Sequence, residues 1–494
     1  VRISRLVVLL FACAATVKAA DPRIAGKWSL VKRWPFVATH AALLPDGKII
    51  GWARKDGVTQ LETWIGNPKT AVFTRAFNRY EQPFCGGQTF LADGTLLVAG
   101  GHDKWDGWGA IQSTIFDYRT KMWTKSADMN AGRWYPTTSP LSNGDVVVLS
   151  GRMPPSQTPA GANGINPLPQ VWSGGHWRDL TGATNENLPL YPRIVLAPDG
   201  RIFMAGPVAE SAWLDTSGTG TWMPGPTSSV ANRDYGSVVM YEPGKVLTVG
   251  GARPPVSSAE IIDLNSDKPE WKAVDSMAFA RRQMNATILA DGTVLATGGS
   301  YGPGFSDDDK PVYAAELWDP ATGKWTTMAS ASVIRTYHSV SLLLPDATVL
   351  NAGGGLPFWG MHPPKPLPGA PPNTSYEPPG RYHNSAQIYS PPYLFKGPRP
   401  RITRAPKKVG YGQTFTVRTP NASKISAVTW IRLGAVTHAF DMSQRFVRLN
   451  FNIHGNKLSV TSPDRASISP PGPYMLFILN KRGVPSIAKI VMIR

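Results

Sequence analysis

The stretch ILADGTVLATGG, residues 288–299, decides the fold. An apolar residue leads into Asp291-Gly292, a β-branched run follows, and Gly298-Gly299 closes the unit. Asp-Gly supplies the positive φ that a tight hairpin needs, and the run behind it has the composition of a short buried strand. The same unit recurs as LLPDGKIIGW from Leu43, FLADGTLLVAGG from Phe90, PLSNGDVVVLSG from Pro140 and LAPDGRIFMAG from Leu196. It continues as MYEPGKVLTVGG from Met240 and LLLPDATVLNAGG from Leu342, which makes seven copies.

The copies stand roughly fifty residues apart, the spacing of kelch repeats. Between them recurs a piece rich in Trp: FDYRTKMW from Phe116, WSGGHW from Trp172, WLDTSGTGTW from Trp213 and ELWDPATGKW from Glu316. Each reads as the outer hairpin of a four-stranded blade. One blade cannot bury both of its faces, whereas blades packed around an axis can. The sequence therefore predicts an all-β chain built on a seven-bladed kelch-type β-propeller.

After the seventh copy the pattern stops. AQIYSPPYLF from Ala386 reads as a last outer strand, and from about Lys396 a new spacing begins. Pro398 to Arg404, Gln413 to Val417, Ala427 to Leu433, Arg445 to Ile453, Lys457 to Val460 and Tyr474 to Asn480 are strand-like, which suits an immunoglobulin-like β-sandwich. At the other end, Arg2 and Arg5 precede the apolar run Leu6 to Ala15, and Val17-Lys18-Ala19 offers a cleavage site. That is the pattern of a secretory signal, too short for a permanent membrane span. The expected organisation is a signal peptide over 1–20, a propeller over 21–395 and a sandwich over 396–494. The expected location is secreted or attached to the cell envelope, as a monomer.

The composition, 42% hydrophobic and 17% charged over 494 residues, is that of a globular protein. Lys and Arg form no runs, so the formal net charge of +18 reads as spread over the surface. Such a charge favours electrostatic association with acidic envelope polymers. No basic-aromatic motif points to nucleic acid. Of the two cysteines, Cys13 falls in the leader, which leaves Cys85 as a lone thiol with no internal disulfide. Cys85 is either a small buried hydrophobe or a residue with a special covalent fate.

Four local motifs bear on chemistry: FCGGQTF around Cys85, GRWYPTT around Tyr135, RTYHS around Tyr337 and His338, and VTHAFDMSQRFV around His438. Phenol and imidazole together suit a metal such as Cu(II) that favours N and O ligands. On this architecture the four motifs resemble those of the copper radical oxidases, the galactose oxidase and glyoxal oxidase family, and look closest to its glyoxal-oxidase-like branch. The resemblance runs from about residue 27 to 494 and includes the ending PGPYMLFILNKRGVPS. It implies one copper ion held by Tyr135, Tyr337, His338 and His438. It also implies a thioether between Cys85 and Tyr135, a self-derived tyrosyl-radical cofactor, with Tyr337 as the base. The implied reaction is two-electron oxidation of a small aldehyde or primary alcohol, free or on a glycan, with O2 reduced to hydrogen peroxide. The alternative is a non-catalytic kelch propeller that binds glycans or envelope proteins. Loss of Cys85 or of either histidine would favour it, and all five residues are present.

Cys85, Tyr135 and Tyr337 each precede a repeat hairpin by a few residues, so blades two, three and seven bring them to one end of the channel. Adjacent strand residues face opposite ways, so Tyr337 and His338 can share a centre only where the strand bends. In the galactose oxidase branch a Trp from a little downstream stacks over the cross-linked tyrosine. Here that neighbourhood reads SGRMPP around Met153, which leaves Trp105, Trp108 and Trp359 as candidates. His40, His102, His176, His362, His383 and His454 match no ligand motif and read as surface or structural. Substrate choice is expected to lie in loops such as 301–312 and 356–380.

Overall fold

The turn residues do what their chemistry predicts. Gly47, Gly94, Gly144, Gly200, Gly244 and Gly292 take φ between 78° and 94°, and Ala347 takes φ 63° in the one repeat that lacks glycine there. The computed structural model describes residues 21–494 apart from 56–57, 59, 104–106, 306 and 356–382. The leader, the loop 356–380, Trp105, Trp359 and His362 thus lie outside the described residues.

Seven sheets of antiparallel strands follow one another along the chain. Blade one is built from His40–Leu43, Ile49–Trp52, Leu61–Asn67 and Val72–Asn78. Blades two to six are four-stranded sheets over 87–125, 137–179, 193–232, 237–274 and 282–330. Their innermost strands neighbour one another in order around the ring, and the innermost strand of blade seven returns to that of blade one. Blade seven corrects the sequence reading. Ser385–Ser390 is its third strand, not its outermost, and Lys27–Trp28 and Lys32–Arg33 pair onto it from the other end of the chain. The two ends of the propeller are thereby stitched into one sheet.

Each closing Gly-Gly or Ser-Gly leaves a carbonyl in the interior, and a buried arginine serves it in four blades. Arg133 donates to Ser150 O, Arg233 to Gly250 O, Arg281 to Gly298 O and Arg335 to Gly353 O, at 2.7 to 3.2 Å. Two of these guanidiniums also pair with buried carboxylates: Arg233 with Glu260 at 2.7 Å, and Arg281 with Glu316 at 2.5 Å. Charges this deep persist only when their hydrogen-bonding capacity is largely filled.

The C-terminal residues form a sandwich of a five-stranded and a three-stranded sheet. Pro398 to Arg404 is not a strand there. Pro398 and Pro400 lack amide donors, and only Arg404 bridges, to Arg418. Arg445 to Ile453 is two strands, Phe446–Leu449 and Phe451–His454, in different sheets. A hairpin missed in the sequence, Ala435–Thr437 with Phe440–Asp441, leaves the sandwich and enters the propeller channel. There it pairs antiparallel with the innermost strand of blade one, Thr437 against His40 and Ala435 against Ala42. Blade one becomes a six-stranded sheet shared by both parts of the chain.

Replacing Arg281 by Met should strand the fully buried Glu316 carboxylate and cost about 3–5 kcal/mol. A urea midpoint that drops by that equivalent, with an unchanged m-value, is the expected outcome.

Candidate active site

A register count locates the site. Eight residues before the turn Asp, Asn or Pro stand Cys85, Tyr135, Tyr191, Tyr235, Gln283 and His338 in blades two to seven. All six have positive φ, from 46° to 68°. Non-glycine residues seldom adopt this region, and for a bulky side chain it is a genuine outlier. Amide hydrogen bonds tie several of them blade to blade: Tyr135 N to Cys85 O at 3.0 Å, Tyr191 N to Tyr135 O at 2.7 Å, and Gln283 N to Tyr235 O at 2.9 Å. The residue equivalent to Cys85 and Tyr135 is therefore His338, and Tyr337 precedes that position by one.

The left-handed turn resolves the alternation problem. With His338 at φ 68°, the rings of Tyr337 and His338 fold onto the same side and stack at 3.7 Å. Trp134 and Tyr135 repeat the arrangement, with Tyr135 at φ 67° and ring centroids 3.6 Å apart at 11°. Trp134 is therefore the tryptophan over Tyr135, taking the place sought among Trp105, Trp108 and Trp359. Tyr191 stacks on Tyr135 as well, at 4.4 Å. Two rings this close to a third cannot share a face, so Tyr135 is sandwiched between them.

His438 arrives at the tip of the inserted hairpin, where His438 and Ala439 both take positive φ, 47° and 68°. Two such residues make the tight turn that matches strand twist. Thr437 fixes the imidazole. Its Oγ1 donates to Thr39 O at 2.9 Å and stands 2.6 Å from His438 Nδ1, which must then carry the proton and donate. Nε2 is left as a lone-pair donor, as a metal-binding histidine requires; it lies 3.7 Å from Cys85 Sγ. Arg193 donates to His438 O at 3.0 Å.

The predicted residues come together. Tyr135 Oη and Tyr337 Oη are hydrogen-bonded to each other. The His338 and His438 rings are 4.8 Å apart at 85°, and Tyr135 lies 4.7 Å from His438 between centroids. Cys85 is fully buried in one cluster with Tyr135 and Tyr191. Burial pushes the Tyr135 and Tyr337 phenols well above the ordinary tyrosine range. It pulls His338 down to about 3 and lowers His438 strongly. Neither ring nitrogen of His338 makes a hydrogen bond of ordinary geometry among the described residues, although the Gly355 backbone lies near enough to favour its protonated form slightly. Two phenol oxygens, His338 and the Nε2 of His438 are a donor set that a copper ion fits, and a bound cation would lower the phenol pKa values that burial raises.

Sequence reasoning missed several neighbours. Tyr235 packs edge-on to Tyr337 at 5.4 Å, and Phe305, from the loop 301–312, does so at 4.8 Å. An open cavity of about 360 Å3 lies over the phenols, lined also by Phe84, Trp134, Tyr191, Arg193, Tyr235 and Phe305. The eight-residue register would have found Tyr191 and Tyr235. His40 is a structural residue: it stacks on Trp52 at 5.0 Å, and its Nε2 accepts the Cys85 amide at 2.8 Å. His102 and His383 are buried too, whereas His176 and His454 are exposed.

Residues 399–493 match the family described as "Galactose oxidase-like, Early set domain". A galactose oxidase of Gibberella zeae is 28% identical over 97% of this chain and 72% of its own length. An aldehyde oxidase GLOX of Vitis pseudoreticulata is 27% identical over 83% of this chain and 82% of its own. A solved fungal alcohol oxidase of the AA5 family, in complex with copper, superposes with a TM-score of 0.82 at 26% identity. It covers 95% of this chain and 99% of its own.

Burial holds His40 neutral down to about pH 3, whereas an unfolded histidine takes its proton near 6.5. Between those values the unfolded chain binds more protons, so stability falls as the pH is lowered. About 2 kcal/mol should be lost from this residue between pH 6.5 and 5. His40→Gln keeps an acceptor for the Cys85 amide, so its urea midpoint should fall less over that interval than the parent's.

Proposed function

Because the chain belongs to the copper radical oxidase family, we propose that it is an exported oxidase of small aldehydes or primary alcohols that releases hydrogen peroxide. The observation that carries this reading is the contact of two phenols, Tyr135 and Tyr337, beside the imidazoles of His338 and His438, under an open cavity.

Tyr135, Tyr337, His338 and His438 would hold the metal. When bound, copper supplies one-electron redox chemistry, which with an oxidisable Cys85–Tyr135 unit makes a two-electron oxidant that dioxygen restores. Cys85 and Tyr135 would lose S–H and ring C–H hydrogens as the thioether forms, with dioxygen taking the two electrons and two protons. Trp134 and Tyr191 cover both faces of the Tyr135 ring and keep water from it.

Tyr337 Oη would accept the proton of the substrate hydroxyl, since it faces the cavity and already shares a hydrogen bond with Tyr135 Oη. Arg193 also lines the cavity, with Nε and Nη1 lacking partners among the described residues, so it can orient a substrate oxygen. Phe84 and Phe305 give the cavity apolar walls that exclude water.

Peptide mapping of copper-loaded, aerated protein should find the Cys85 and Tyr135 peptides joined and lighter by a pair of hydrogens. A free Cys85 thiol after that treatment would remove the reading. Tyr337→Phe should still form the cross-link while peroxide release falls by about 10²–10⁴-fold in kcat.

A further inference from the structure

The net charge is not spread over the surface, as the absence of basic runs suggested. Residues 21–395 contain 31 Lys and Arg and 31 Asp and Glu, so that stretch is formally neutral. Residues 396–494 contain 17 Lys and Arg against two acids, Asp441 and Asp464. Arg432 and Arg445 are buried and donate to Phe90 O and Leu196 O in propeller turns. Asp441 is buried as well and accepts the amides of Ala435, Ser443 and Gln444. Fourteen of the remaining cations are exposed, against the single exposed carboxylate of Asp464.

The charge is most ordered at the three-stranded sheet. Arg404 bridges Arg418, Arg418 stands opposite Lys457, and Lys457 stands opposite His454. Lys407 lines one hollow of about 640 Å3 with Arg404, Arg418 and Lys457. The only ion pair of residues 396–494 among the described residues joins Arg465 to Asp464, at 4.0 Å. Like charges directly opposite on adjacent strands destabilise a sheet, at a strand spacing of about 4.8 Å. No carboxylate among the described residues pairs with these four cations. A second hollow, with Arg399, Lys424, Lys481 and Arg482, again holds no acid.

We propose that the C-terminal sandwich is a docking surface for an acidic polysaccharide, centred on Arg404, Lys407, Arg418 and Lys457. A polymer with carboxylates or sulfates along its length would neutralise a row of cations set at strand spacing. Single-stranded nucleic acid calls for exposed aromatic platforms, and the exposed large hydrophobics of this stretch are only Ile453 and Ile487. Insertion into a membrane calls for a continuous apolar face, which two separate isoleucines do not make. The docked oxidase would release peroxide at the polymer.

The test needs neither metal nor turnover, so it stands apart from the oxidase reading. The full chain is titrated against polygalacturonate, neutral dextran, duplex DNA and phosphatidylglycerol vesicles at about 50 mM salt, where screening is weak. The parent should bind polygalacturonate most tightly. The variant R404Q/K407Q/R418Q/K457Q should lose at least about tenfold in affinity while melting no lower than the parent. The control K121Q/K268Q/K272Q/K324Q removes the same charge from the propeller and should bind as the parent does. Equal binding by the first variant, an equal loss in the control, tighter binding of DNA or vesicles, or no binding of polygalacturonate would each overturn the proposal.

Discussion

The site depends on one antiparallel pairing, that of Ala435–Thr437 with His40–Ala42 inside the channel. Without it His438 would sit on a separate domain, and the other donors would face an incomplete centre. The pairing is held at several points besides its own ladder. Gln88 Nε2 donates to Val436 O at 3.0 Å, and Thr437 Oγ1 reaches Thr39 O at 2.9 Å. Arg193 grips the carbonyl of His438 itself. The sandwich thus contributes the hairpin that bears His438 to the propeller, and its two buried arginines anchor it to the turns below.

The second constraint is conformational. Six blades present a left-handed residue at the same register, and none of the six is glycine. Such conformations cost of order 1–3 kcal/mol each and persist only where the surroundings over-determine them. Here the blade-to-blade amide bonds and the buried arginine latches supply that determination. What the strain provides is side-chain direction. It lets neighbours in sequence, Trp134 with Tyr135 and Tyr337 with His338, stack on one side instead of pointing apart.

Electrostatics divides the molecule in two. The propeller is neutral as a whole and buries the residues of its site, so burial holds the phenols protonated and the imidazoles neutral. The sandwich carries nearly all of the excess charge on its outer surface. The buried site and the charged surface are thus separated by domain, although one hairpin joins them.

The number of blades and their turns were legible in the sequence, because hairpins are written in local chemistry: a turn pair, a β-branched run and a closing glycine. Cys85, Tyr135, Tyr337, His338 and His438 were singled out only by the resemblance of their motifs, and the structure brings them together. The inserted hairpin was not legible, since its strands are only three and two residues long and pair with a strand almost 400 residues away. Nor were Trp134 as the stacking ring, the Nδ1–H tautomer of His438, or the shared register of Tyr191 and Tyr235. Tyr and Cys have no local preference for the left-handed region and His only a modest one, so the closed ring, pressing neighbouring blades together, places them there.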